Sequence, residues 1–94
     1  MLFSLYCVDK PGRGDLRAAT RPAHIEYLKS QADKIVLGGP QLAEDGKGAI
    51  GSLLVIDVAD RAAAETFAAN DPYAKAGLFE SAVIRPFTKV FPQA

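Results

Sequence analysis

What the sequence is short of narrows it first. A single cysteine, Cys7, rules out a disulfide within the chain. Set in an apolar run, that thiol reads as buried and inert, which suits a reducing compartment. A single histidine, His24, with no cysteine near it, offers no metal ligand set. Neither sign of charge is in excess, with 11 Lys plus Arg against 11 Asp plus Glu. Arg13, Arg17 and Arg21 are spaced four apart, but Asp9, Asp15 and Glu26 are scattered nearby, so no basic track for a nucleic-acid backbone is expected. No apolar run approaches a membrane span. The opening MLFSLYCVDK meets Asp9 without a basic leader, unlike a signal peptide. Gly38-Gly39 sits in neither a G-x-G-x-x-G nor a P-loop spacing, Ser52 in no nucleophile elbow, and no flavin or haem motif is present. These gaps point to a cytoplasmic protein without metal or cofactor, and with neither nucleic acid nor membrane as a partner.

What is present suits one small globular domain spanning residues 1–94. Apolar types make up 49% of the chain, ample for a core and too many for disorder. A chain this small buries only roughly 60–65% of its unfolded surface, so oligomerisation is a common way to complete such a core. Leu2 to Val8 reads as a strand and Asp9 to Gly14 as a turn-rich loop. A helix follows towards Asp33. It is either capped by Asp15 and kinked at Pro22, or preceded by a short turn and started at Thr20; Thr20 as N-cap with Pro22 in the first turn suits the second arrangement. Lys34 to Leu37 is a short strand stopped by Gly38-Gly39-Pro40, and Gln41 to Gly48 a polar loop. Ile50 to Val58 is a strong strand, and Asp60 caps the alanine-rich helix RAAAETFAAN. Asp71-Pro72 restarts a short helical segment, and Phe79 to Phe91 is the last strand, where Pro86 marks a sheet edge or a bulge.

The order β-α-β-β-α-β matches an α+β, ferredoxin-like plan: an antiparallel four-stranded sheet with helices on one face. The strands, however, are apolar on both sides. Phe3, Leu5 and Cys7 alternate with Leu2, Tyr6 and Val8; Leu53 and Val55 alternate with Leu54 and Ile56; Val83 and Phe87 alternate with Ile84 and Val90. The second face needs a cover that the chain does not supply, and a patch of that size is rare on a monomer. A homodimer joined through the sheets, a dimeric α+β barrel, is therefore expected.

His24 lies in RPAHIEYL, Arg21 to Leu28. At 100° per residue it shares a helix face with Tyr27 and Leu28, which point at the sheet. An inward imidazole needs a hydrogen-bond partner. A backbone carbonyl would make it a core residue. Asp71 would make it a site, although an N-cap role before Pro72 explains Asp71 by itself.

The segments RPAHIEYL, VLGGPQL (Val36 to Leu42), GSLLVIDV (Gly51 to Val58), NDPYAKAGLFES (Asn70 to Ser81) and VIRPFTKV (Val83 to Val90) together resemble the YciI-like (YCII-related) family. The R-P-x-H and D-P-Y pieces in combination are the specific part, and the resemblance covers nearly the whole chain. It implies a dimeric α+β barrel and a His–Asp pair in a pocket, at His24 and Asp71. It also implies pocket lining at Arg21, Gly39, Ser52 and Tyr73. Some relatives are linked to dehydrohalogenation, an elimination. In that chemistry Asp71 fixes the imidazole tautomer and leaves the other ring nitrogen to take a proton α to a carbonyl or lactone. Backbone N–H groups near Gly39, or the Ser52 hydroxyl, would steady the oxyanion. The functional expectation is a cofactor-free lyase or isomerase acting on a small-molecule ligand. The alternatives are a binding module for a small metabolite, an accessory protein whose dimer is its purpose, and a cofactor-free oxygenase.

Overall fold

The computed structural model describes residues 1–93; Ala94, the last position of the expected domain, lies outside the described residues. The chain runs β1 (Leu2–Asp9), α1 (Gly14–Ser30), a single 3-10 turn (Ala32–Lys34), β2 (Ile35–Leu42), β3 (Ala49–Asp57), α2 (Arg61–Asn70), α3 (Pro72–Lys75) and β4 (Phe79–Phe87). The strands form one sheet in the order β2-β3-β1-β4, with every neighbouring pair antiparallel. This is the ferredoxin-like α+β fold.

The register assigns the two faces. Phe3 pairs with Ile56 and Leu5 with Leu54, while Cys7 pairs with Ser52. These residues are all buried and turn towards the helices, where Ala64 and Phe67 of α2 and the half-buried Tyr27 and Leu28 of α1 close the core. The alternate set, Leu2, Tyr6 and Val8 with Leu53, Val55, Val83 and Phe87, shares the opposite face. Among the described residues no helix packs there, and Tyr6 and Phe87 remain 48% and 43% exposed.

Several boundaries differ from the expectation, each for a physical reason. α1 is one helix from Gly14, with Pro22 inside it; Thr20 is not an N-cap, and Arg13, not Asp15, occupies the cap position. A proline inside a helix removes one backbone bond, here to the carbonyl of Ala18. Both residues lie on the exposed side of α1, where water can satisfy that carbonyl. β2 continues through Gly38-Gly39-Pro40 to Leu42. It is an edge strand, so Pro40 can withhold its missing donor from the ladder. Gly38 permits a close approach to β3, since a Cβ there would lie a tight 3.2 Å from Leu54 Cγ. β3 starts one residue earlier, at Ala49. β4 ends at Phe87, not Phe91, because its partner β1 ends opposite it at Leu2, so Val90 lies beyond the sheet. Pro86 does sit on an edge strand. Asp60 caps α2 as expected, its side chain accepting from the Ala63 N–H at 2.9 Å.

Candidate functional site

α1 carries Arg17, Arg21 and His24 at intervals of four and three, which places them along one helix face. Beneath them β2 presents Gly38 and Pro40 to the helix side, opposite Leu54 and Ser52. The glycine offers no side chain to fill the gap, and a cavity of about 230 Å³ remains between α1 and the β2–β3 edge. Tyr73 of α3 closes one side; Ile25, Leu28 and Leu54 supply apolar wall.

His24 and Asp71 meet beside this cavity. Nδ1 of the imidazole lies 2.8 Å from Asp71 Oδ1, with both residues buried. The same Oδ1 accepts the backbone N–H of Tyr73 at 2.9 Å, so Asp71 is also the N-cap of α3. The capping and pairing readings of Asp71 are both true at once. A carboxylate accepting at Nδ1 places the ring proton there. Nε2 is left with its lone pair, and among the described residues it has no hydrogen-bond partner. Tyr73 stacks on the imidazole, with ring centroids 4.0 Å apart and planes 18° from parallel, and its own edge is fixed by Phe79 at 6.0 Å. The ring therefore cannot turn without disturbing both neighbours.

The structure brings all six residues expected in the site together. His24, Arg21, Gly39, Ser52 and Tyr73 line the cavity, and Asp71 stands behind His24. Gly39 contributes backbone only, and a Cβ added to it would meet nothing within 4 Å. Two residues were missed. Arg17 is buried and lines the cavity. It donates from Nε to Asp9 Oδ2 at 2.7 Å, from Nη2 to Asp9 Oδ1 at 3.2 Å, and from Nη2 to Ser52 Oγ at 2.8 Å. Its guanidinium carbon sits 4.6 Å from the centroid of the Tyr73 ring, within cation–π range. The signal was the Arg17–Arg21–His24 spacing, visible once α1 is taken as continuous. Asp9 carried no such signal; at the end of β1 it resembled a loop residue.

Burial would lower the Arg17 guanidinium, but hydrogen bonding and charge from Asp9 outweigh it and raise it further. Tyr73 is raised by burial, with Arg17 and Arg21 opposing. Burial, helped by Asp71 and Asp9, pushes the Cys7 thiol up to about 11. At neutral pH it stays protonated and unreactive, as its place in β1 suggests. Among the described residues no three His, Cys, Asp or Glu side chains gather to hold a metal ion. Among the described residues no helix is long and apolar enough to cross a membrane.

The sequence and fold match known proteins. A family model described as the YCII-related domain matches residues 1–88. Protein YciI of Escherichia coli O6:H1 is 34% identical over 98 residues, covering 97% of this chain and 100% of that protein. The structure of the 5-chloro-2-hydroxyhydroquinone dehydrochlorinase of Burkholderia phenoliruptrix AC1100, in complex with 2,5-dihydroxybenzoquinone, superimposes with a TM-score of 0.89. It is 32% identical, and the match covers 100% of both chains. An antibiotic biosynthesis monooxygenase, 14% identical with a TM-score of 0.53 over 95% of this chain and 100% of its own, shares the fold alone.

Proposed function

The chain belongs to the YCII-related family, and from that premise we propose that it is a small-molecule enzyme in which His24 is a general base oriented by Asp71. The observation that carries this reading is the 2.8 Å contact between His24 Nδ1 and Asp71 Oδ1 at the wall of a cavity. It leaves Nε2 with its lone pair at a residue that lines the cavity. Nε2 takes a proton from a carbon beside a carbonyl or from an enolic hydroxyl. From carbon, the released pair forms a C=C bond and expels a leaving group from the adjacent saturated carbon. From an enolic hydroxyl, the oxygen pair forms C=O while the enol's π pair shifts to expel a leaving group from the saturated carbon beside it. The net change is loss of HX, with no redox step. Without a leaving group the proton returns at another atom, an isomerisation. Arg21, Gly39, Ser52 and Tyr73 bind and orient the substrate. The likeness to a dehydrochlorinase of known structure supports elimination, and the inert thiol suits a cytoplasmic setting.

The experiment is direct. Purified protein is incubated under nitrogen with 5-chloro-2-hydroxyhydroquinone, and chloride is measured. Release well above the protein-free rate is expected. A ligand-induced rise in melting temperature with no chloride and no other product across chlorinated and enolic lactone analogues would favour the binding-module reading instead.

A second copy of the chain covers the free sheet face in this reading, forming a dimeric α+β barrel. What supports it is the row of Tyr6, Leu37, Val83 and Phe87, each at least 40% exposed on strands that have no helix over them. Sedimentation should give twice the 10.0 kDa chain mass, and Tyr6→Glu should shift it towards the monomer. A wild-type monomer at all concentrations overturns it.

A further inference from the structure

The polar lining of the cavity is one-sided. It consists of Arg17, Arg21, His24, Ser52 and Tyr73, with no carboxylate among the lining residues. The two acidic side chains of the site, Asp9 and Asp71, are 8% and 6% exposed and are held behind the wall by Arg17 and His24. Arg17 is neutralised by its pairing with Asp9. Arg21 is different: it is exposed at the rim and has no carboxylate within ion-pair distance among the described residues.

Ser52 adds a second donor. Its Oγ accepts from the Arg17 guanidinium, which leaves its own O–H to be given elsewhere. Among the described residues nothing accepts that O–H, and Ser52 lines the cavity. A hydroxyl that receives a charged donor is polarised into a stronger donor itself. Arg21 and Ser52 therefore offer a cation and a polarised O–H, and His24 Nε2 offers the acceptor. Ile25, Leu28 and Leu54 leave room for an apolar body between them. At about 230 Å³ the space is smaller than the roughly 300–1,000 Å³ of pockets for drug-sized ligands, and it suits about one ring.

We infer that the site takes its substrate as an anion: a single-ring hydroxyquinone- or enol-type compound whose ionised oxygen is held by the Arg21 guanidinium and the Ser52 hydroxyl, with its reacting hydrogen turned to His24. This deepens the general-base reading and rests on it for the direction of binding, but it is tested separately.

The test uses two probes in calorimetric titrations of wild-type, Arg21→Gln and Arg21→Lys protein. One is 2,5-dihydroxybenzoquinone, at a pH where its ring hydroxyls are ionised. The other is 2,5-dimethoxybenzoquinone, of similar shape but unable to ionise. Wild type should prefer the ionised probe, and added salt should narrow the preference. Arg21→Gln should weaken the ionised probe about ten- to hundredfold, the scale of one charge-assisted hydrogen bond. The same variant should leave the dimethoxy probe unchanged, and Arg21→Lys should recover part of the loss. Ser52→Ala should lower affinity for the ionised probe alone. Equal weakening of both probes by Arg21→Gln, no weakening of either, or wild-type protein that binds neither or prefers the neutral one overturns the inference. His24→Gln is the separating control. If it binds the ionised probe yet still turns substrate over, the base assignment falls while the anion inference stands.

Discussion

Replacing His24 with Gln should lower kcat for proton removal by about 10² to 10⁴-fold, the usual contribution of a positioned general base. The substitution keeps a polar side chain of similar reach beside Asp71 but removes the basic nitrogen. Affinity for substrate analogues should change little, because Arg21 and Ser52 hold the anion in the proposed pose. The signature is therefore a fall in kcat with KM nearly constant, which marks an interaction made only in the transition state. Asp71→Asn should have a smaller effect: its side-chain oxygen can still cap α3, but the negative charge that fixes the imidazole tautomer is gone. Initial rates of chloride release, with circular dichroism to confirm folding, check both. Turnover by His24→Gln within about threefold of wild type would remove the imidazole from the chemistry.

The second large effect is on stability. Arg17→Met should cost about 3–5 kcal/mol, because Asp9 would be left buried and charged without its partner. The Asp9 and Arg17 side chains are only 8% and 9% exposed, and two guanidinium nitrogens reach the carboxylate. Loss of the donor to Ser52 and of the contact with the Tyr73 ring adds to the penalty. A domain of this size gains or loses about 4–8 °C in Tm per kcal/mol, so a fall of at least about 12 °C is expected. The double variant Asp9→Leu/Arg17→Met should regain most of it, since removing both charges leaves neither stranded. Urea titrations of wild type, Asp9→Leu, Arg17→Met and the double variant measure the coupling. A single variant within 1 kcal/mol of wild type would mean that Asp9 finds water or another donor.

The sheet and α2 were legible because each rests on a local pattern that tertiary packing reinforces. Alternation in β1 and β3, the Asp60 cap and the alanines of α2 all point one way. By residue type Asp71 was one candidate partner for His24, but the pairing itself was legible only through the family resemblance, since no local feature links residues separated by β2, β3 and α2. Pro22 misled because a proline is judged by its own missing N–H, whereas the outcome depends on whether the orphaned carbonyl faces water. That error also hid Arg17: a helix beginning at Thr20 would exclude it from the face that carries His24. Gly38-Gly39-Pro40 misled in the same manner. These residues break an interior strand, but their fate at an edge is set by the neighbour on one side only. Asp9 was out of reach, because its importance comes wholly from the arginine it meets.

The double duty of Asp71 Oδ1 has a practical consequence for anyone transplanting this arrangement. One oxygen both starts α3, and with it the placement of Tyr73, and orients the imidazole. The dyad therefore cannot be grafted as two side chains. The recipient backbone would have to import the Asp-Pro-Tyr turn whole, because the piece that aims the histidine is also the piece that builds the wall it leans on.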